Sequence, residues 1–510
     1  LIPAELLPHL VLLIGAVVCS IGGRLVEWPA IWKLTALCFV CGAAWLCVST
    51  DVAVDPLAGL VTRGHLAKQV ALLGYATGFL LILSCLEQKM TSIAAGDQAA
   101  SILVALNGLV LVGQSDDLLA LYLGVEVTSF ALLPLILLSG PQAAQREGKN
   151  IGNRFHFEAA IKYSVRNAVS SALILLGLAF LIAMTNSTEL SVIEQIFTES
   201  SKSTDASSAI ASPSMIGNFV IILLVAGLGM RMAAVPFQFG LPDLFQGVSN
   251  WVAGVLAMFP LLVCWVALFR LINQCLAGYE LISVLVLNVL AILSMVSGNV
   301  LALYQSHLRR LWVYVLMVQC GFLLASTAVS LWGQSHQSLF TQTFQFSMVS
   351  PTMLLLIAYI INTTGLAAVF VYLGRDHREL EYLDDLTGII RSEPVAAICC
   401  VSSLLGLAGA PFLSGFWWRL FVLLQSLSLI SDKAIPATHL GFIVIALVLV
   451  LSMIVQLIVL LRIVVLILFS DQLGRPVPAG GESALTVALI ATFLNVGLGL
   501  FPGIVLNLFW

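Results

Sequence analysis

Six ionisable side chains stand inside stretches too apolar to hydrate them. Glu126 lies in Leu121–Val127, and Lys162 follows Glu158-Ala159-Ala160-Ile161, with Arg166 one turn later. Arg231 follows Gly229-Met230, Arg419 follows Gly415-Phe416-Trp417-Trp418, and Arg462 follows Val459-Leu460-Leu461. At the centre of an apolar helix each charge costs at least about 2.5–3.5 kcal/mol, so it marks an ion pathway or a paired site. One carboxylate among several cations suits two chemistries, charge pairing and proton relay. The cations divide the relay role unequally: buried lysine sheds its proton when desolvated, whereas arginine stays charged. The structural alternative differs by residue. Arg462 and Lys162 lie near enough to helix ends to snorkel, and Glu126 could serve only to neutralise a neighbouring arginine.

Other chemistry finds little support. None of the seven histidines pairs with another at a spacing of four, and the chain has no GxGxxG or Walker pattern. Such patterns are what a zinc, haem or nucleotide site requires. Cys38-x-x-Cys41 and the vicinal Cys399–Cys400 sit inside apolar runs and read as small buried side chains.

The surrounding chain explains why those charges matter. It is 60% hydrophobic and 9% charged over 510 residues, against about 25% charged in a soluble protein. That balance excludes a soluble enzyme and a disordered scaffold, and a net charge of −4 offers nothing to nucleic acid. Apolar runs fall near 4–22, 30–50, 67–85, 99–115, 117–138, 160–184, 215–238 and 247–275. Others fall near 280–303, 309–331, 347–373, 393–429, 438–470 and 482–508. With about 20 apolar residues per span, they predict an all-α polytopic membrane protein of about fourteen helices. The alternation of a β-barrel is absent. The first run is long enough to span and lacks the basic flank and cleavage site of a secretory signal.

Two runs carry break signals. Val235-Pro236-Phe237 follows Arg231, while Gly409-Ala410-Pro411-Phe412 and Gly415 precede Arg419. Proline and paired small residues interrupt helices, and freed backbone is tolerated at depth only where protein or a hydrated cavity satisfies it. Paired discontinuous helices are a mark of transport folds. The polar stretches 139–158, 185–214 and 374–392 read as loops. Lys and Arg concentrate on alternate loops: Arg24, Lys89, Arg146, Lys149, Arg154, Arg309, Arg310, Arg375, Arg378, Arg391 and Arg475. The opposite side holds Arg63, Lys202 and Lys433. The basic side is expected to be cytoplasmic, with both termini on the other side.

Five blocks, taken in order, resemble a known family. They are Leu121 to Ser129 with Glu126; Glu158 to Tyr163 with Lys162; Val235-Pro236-Phe237 with Pro242-Asp243 and Gln246-Gly247; Gly298-Asn299 to Tyr314 with Arg309-Arg310; and Asp385 to Gly388 with Leu407 to Phe416. Together they resemble the antiporter-like membrane subunits of respiratory complex I, NADH:quinone oxidoreductase, and within them the subunit N (subunit 2) branch. The Pro242-Asp243 and Gln246-Gly247 pattern favours that branch over the larger subunits and the multisubunit sodium/proton antiporters.

The resemblance implies helices 1–3 over 1–98, a five-helix repeat over 99–276, an inverted second repeat over 277–470 and a last helix over 471–510. Helices 7 and 12 would be the broken ones. It further implies a membrane-arm subunit coupling quinone reduction to proton translocation, with no redox centre in this chain. FMN, iron–sulfur clusters and quinone would sit in partner subunits. The chain would lie among membrane lipids and other membrane-arm subunits in an energy-coupling membrane: a bacterial plasma membrane, or an organelle's inner or thylakoid membrane. A multisubunit cation/proton antiporter and a non-conducting structural subunit are the alternatives.

The residue chemistry departs from the family pattern along the proposed path. Glu126 and Lys162 are present, but the lysine positions of the two broken helices fall on Arg231 and Arg419. The eighth-helix lysine falls on Leu261, and the tenth-helix serine pair and histidine fall on Val315-Leu316 and Gln319. Fixed positive charges organise water and hold Glu126 ionised, but they are poor relay stations, and Leu261 carries no proton. The expectation is a divergent path that moves fewer protons, or none.

Overall fold

The computed structural model describes residues 6–49, 65–88, 90–139, 152–202, 215–275, 279–336, 350–374, 380–430, 436–471 and 481–503. Lys89, Arg146, Lys149, Arg375, Arg378 and Arg475 on the basic side, Arg63 and Lys433 on the other, and both chain ends lie outside the described residues. The N-terminal group comprises α1 (Leu7–Leu25), α2 (Pro29–Ser49) and α3 (His65–Ser84). It packs on α4 (Ser92–Gln114), which is followed by α5 (Leu118–Leu138), α6 (Gly152–Thr185), α7 (Leu190–Lys202) and α8 (Met215–Arg231). Next come α9 (Leu241–Gln246), α10 (Asn250–Arg270), α11 (Glu280–Leu303), α12 (Leu308–His336) and α13 (Ser350–Leu373). The rest is α14 (Ile389–Ser392), α15 (Pro394–Ala408), α16 (Ser414–Ile430), α17 (Pro436–Phe469) and α18 (Glu482–Leu500).

Among the described residues the only β-type pairings are two isolated bridges, Asp117–Glu189 and His307–Tyr382. Among the described residues, twelve helices are long and apolar enough to cross a membrane. That is fewer than the fourteen segments expected, and the difference lies at the interrupted runs: α8 and α15 are apolar but short. α10 and α12 are the most enclosed of the twelve, each 94% buried along its apolar window. They form the core against which the charged residues are set. α5, by contrast, is half-buried, so Glu126 sits on the inner face of a peripheral helix.

Two stretches read as loops contain structure. Within 185–214, Leu190, Ile193 and Phe197 are buried on one face of α7. Their spacing is that of an amphipathic helix, and its polar face disguised it in a stretch short of apolar residues. Within 374–392, Leu383–Leu386 forms a 3-10 turn and Ile389–Ser392 forms α14. The Leu308 and Leu383 amides donate to the Glu381 and Ser306 carbonyls, tying this segment to the start of α12. A turn that finds backbone partners elsewhere in the chain does not announce itself in hydropathy.

Both expected breaks are present and close in the same way. After α8 the Ala234 amide donates to the Gly229 carbonyl, with Ala233 at φ +68°. After α15 the Ala410 amide donates to the Leu405 carbonyl, with Gly409 at φ +79°. A six-to-one bond around a left-handed residue is the Schellman ending of a helix. Sequence comparison pairs Pro236 with Pro411; the backbone pairs Ala233 with Gly409, one residue out of that register. Gly415 is not part of the break. It lies in the first turn of α16, where a side chain would collide with the Gly406 carbonyl. The missing side chain lets α16 seat directly against the end of α15.

Candidate functional site

The first break ends α8 at a residue that is fully engaged. Arg231 is 3% exposed. Its Nη2 donates to Glu126 Oε1 at 2.6 Å and to Ser171 Oγ at 2.5 Å. Nη1 donates to Ser129 Oγ at 2.7 Å and weakly to the Val125 carbonyl at 3.4 Å. Nε donates to Ser170 Oγ at 2.8 Å. The fork thus joins α5, α6 and the end of α8. The Ser171 hydroxyl donates a further bond to Glu126 Oε1 at 2.7 Å. The Asp117 side chain caps α5, accepting from the Leu119 and Ala120 amides, and so sets the register that carries Glu126 inward. The facing guanidinium compensates the burial of this carboxylate.

The second break holds its cation without a carboxylate. Arg419, 1% exposed, donates from Nη1 to the Ala408 carbonyl and from Nη2 to the Leu407 carbonyl. Nη2 also donates to Gln456 Oε1 at 3.0 Å. Its guanidinium lies 4.6 Å from the Phe322 ring centre and 4.9 Å from that of Trp418. Gln319 Nε2 donates to the same Leu407 carbonyl at 3.0 Å. Helix C-terminal carbonyls carry partial negative charge, and ring faces attract cations. Arg419 is therefore held by the dipole of the helix that the break ends. Gly409 permits this, because a side chain there would meet Arg419 Nη1 at 2.7 Å.

A family described as NADH:quinone oxidoreductase/Mrp antiporter, TM, matches residues 115–432. The chain belongs to that family. The matched stretch contains both interrupted helices and every residue of both clusters except Gln456. The chain is 28% identical over 524 residues to NADH-quinone oxidoreductase subunit N of Deinococcus radiodurans, covering 98% of this chain and 94% of that one. It shares its fold with a chain of respiratory complex I from Thermus thermophilus with bound Aureothin. There the TM-score is 0.72 at 22% identity, over 98% of each chain. A chain of the Mrp complex from Dietzia sp. DQ12-45-1b is similar with a TM-score of 0.77 at 16% identity, over 99% and 95%.

The expected site residues of this antiporter-like chain divide into two clusters separated by apolar side chains. Glu126 and Arg231 form one; Gln319 and Arg419 form the other. Pro260 and Leu261 of α10 and Leu316 of α12 border the first cluster, lining one small cavity with Arg166 and Arg231. Leu261 is 1% exposed, and Gln319 lies one helical turn beyond Leu316. A second cavity, about 20 Å³, lies among Leu311, Trp312, Val315, Phe370, Leu404 and Leu460. The Trp312 indole carries the only polar side-chain atom among these six, and apolar cavities stay dry.

Lys162 joins neither cluster. It is 35% exposed, with Nζ 2.6 Å from Glu158 Oε1 and 3.3 Å from Asp243 Oδ2. Asp243 also accepts from Arg310 at 2.9 Å, so α6, α9 and α12 meet in a surface ion network. Replacing Lys162 with methionine should therefore change stability by less than about 1 kcal/mol. Thermal unfolding at two ionic strengths checks this; a loss of several kcal/mol, insensitive to salt, would place Lys162 in the core machinery. Arg462 is also exposed, donating to the Leu303 and Gln305 carbonyls at 2.9 and 2.8 Å as a cap on α11.

Five partners escaped sequence reading: Ser129, Ser170, Ser171 and Asn167 around Arg231, and Gln456 at Arg419. Asn167 supplies its carbonyl at 3.4 Å. The signal existed, since Glu126 and Ser129 share a face, as do Asn167, Ser170 and Ser171, at three- and four-residue spacing. Isolated serines in apolar helices usually bond their own backbone; Ser129 and Ser171 do so as well, whereas Ser170 donates to the Gly227 carbonyl of α8.

Proposed function

We propose that this chain is the subunit N-type member of the membrane arm of a complex I-type NAD(P)H- or ferredoxin:quinone oxidoreductase. In this reading partner subunits carry the flavin, iron–sulfur clusters and quinone. The observation that carries it is the family match across both interrupted helices, each with a buried arginine at the break. Relatives named NADH-quinone oxidoreductase subunit N support it across nearly the whole chain. The two interrupted helices then complete a set of about fourteen crossings, with inverted repeats over 99–276 and 277–470.

In this role Glu126, Arg231, Gln319 and Arg419 form the central polar line. The Glu126–Arg231 pair fixes a charge at one end, and the Arg419 cluster fixes another. Neither arginine releases a proton near neutral pH, and Leu261 interrupts the line. This subunit thus transmits the architecture of the arm and contributes fewer translocated protons than a lysine-bearing relative, or none.

Affinity purification of the tagged chain from gently solubilised membranes tests the assembly. Flavin and iron–sulfur absorbance, together with quinone reductase activity, should accompany the chain. Recovery with cation/proton antiporter subunits alone would overturn the reading. Orientation is a separate expectation. In a cysteine-free background, cysteine placed at Arg391 should react with an impermeant maleimide from the cytoplasmic side. Labels at either chain end should react from the opposite side, and both ends reacting from the cytoplasm would exclude this topology.

A further inference from the structure

The first cluster carries one more positive charge than its known partners balance. Glu126 and Arg231 neutralise each other. Glu158, Lys162, Asp243 and Arg310 do the same at the surface. Arg166 remains. It is 7% exposed, and its Nε and Nη1 have no hydrogen-bond partner. Its guanidinium lies 5.9 Å from the Tyr163 ring centre, and it forms no ion pair among the described residues, the nearby Glu126 being paired with Arg231. A guanidinium does not discharge itself by losing a proton, and an unpaired buried charge costs several kcal/mol.

Arg166 and Arg231 line the same small cavity, of about 10 Å³, the lower limit for a single small occupant. The remaining walls are apolar, among them Met232, Phe245, Leu256 and Leu261. Guanidinium N–H groups only donate, so the occupant they favour only accepts. Pro260 deprives the Leu256 carbonyl, beside the cavity, of its helical donor. That carbonyl answers a single N–H without balancing the charge. We propose that this cavity binds one halide-sized monovalent anion, held by Arg166 with Arg231 behind it. A carboxylate, phosphate or sulfate is too large for the space. With the anion bound, the cluster of two arginines and Glu126 is neutral, whether or not the subunit moves protons.

Bromide is the probe. The full chain, purified with whatever subunits accompany it, is exchanged into gluconate and titrated with bromide at constant ionic strength while thermal unfolding is followed. The unfolding midpoint should rise and saturate as for a single site, and Arg166→Gln should weaken the bromide response at least tenfold. Crystals grown in bromide should show one anomalous peak between Arg166 and Arg231. Equal responses in the native and variant proteins would reveal a general salt effect and overturn the proposal. So would density in the cavity without anomalous signal, which would mark the occupant as water. If Arg166→Gln fails to fold, the anomalous map of the native protein decides alone.

Discussion

Glu126→Gln is expected to destabilise the folded subunit by about 3–5 kcal/mol, the cost of breaking one side of a buried ion pair. Glutamine fills the same space but leaves the Arg231 guanidinium facing a neutral amide. Arg231 is 3% exposed and bonded to two neighbouring helices, α5 and α6, so it cannot turn out to solvent. Adding Arg231→Met should recover much of the loss. The reason lies in the serines: Ser129 and Ser170 each donate to a backbone carbonyl already, those of Val125 and Gly227, and the Ser171 hydroxyl can turn from Glu126 to the Asn167 carbonyl. Removing the guanidinium therefore orphans no hydroxyl hydrogen. Thermal unfolding of the two single variants and the double variant gives the coupling directly. If Glu126→Gln is as stable as the native protein while Arg231→Met alone unfolds it, the pair is not what holds these helices together.

The second large effect concerns proton movement. Reconstituted into vesicles, the native assembly should move fewer protons per electron pair than an assembly whose corresponding subunit carries lysines along this line. A proton leaving the Arg231 cluster toward α12 meets Pro260, Leu261 and Leu316, and the cavity they line has room for a single particle. At its far side, Gln319 and Arg419 are committed to the Leu407 carbonyl. Introducing Arg231→Lys, Leu261→Lys, Gln319→His and Arg419→Lys together should raise the count. Buried lysine and histidine exchange protons near neutral pH, and arginine does not. Leu261→Lys alone, in a correctly assembled complex, isolates the central step. A native assembly already at the full count would show that fixed arginines and water suffice to conduct.

The two arginines also show how differently one residue type is accommodated. Arg231 ends the helix before its break and faces a carboxylate. Arg419 lies inside the helix after its break and faces carbonyls, a glutamine and two aromatic rings. Arg419 satisfies carbonyls at the end of the helix that its break closes, whereas Arg231 forms an ion pair. Sequence similarity between the breaks, Val235-Pro236-Phe237 against Ala410-Pro411-Phe412, does not foretell this difference.

Much about this protein is local and therefore legible in the chain. Hydropathy sums over neighbouring residues, so the apolar runs located the helices, and α11 was placed at its observed bounds. Proline and glycine act on their own φ and on the preceding turn, so both interruptions were visible, although Gly415 proved to be a packing contact. Buried charges were visible as violations of composition. What each charge touches was not. Glu126 and Arg231 are 105 residues apart and Arg419 and Gln456 are 37 apart, and those meetings depend on how each helix is rotated about its axis. A one-residue turn of a helix, about 100°, carries a side chain from core to lipid. Position along the axis matters as well: Lys162 and Arg166 share a face of α6, yet the first lies at the surface and the second inside. Only tertiary packing decides which apolar side chains stand between the two clusters, and so whether a polar line through the core is continuous.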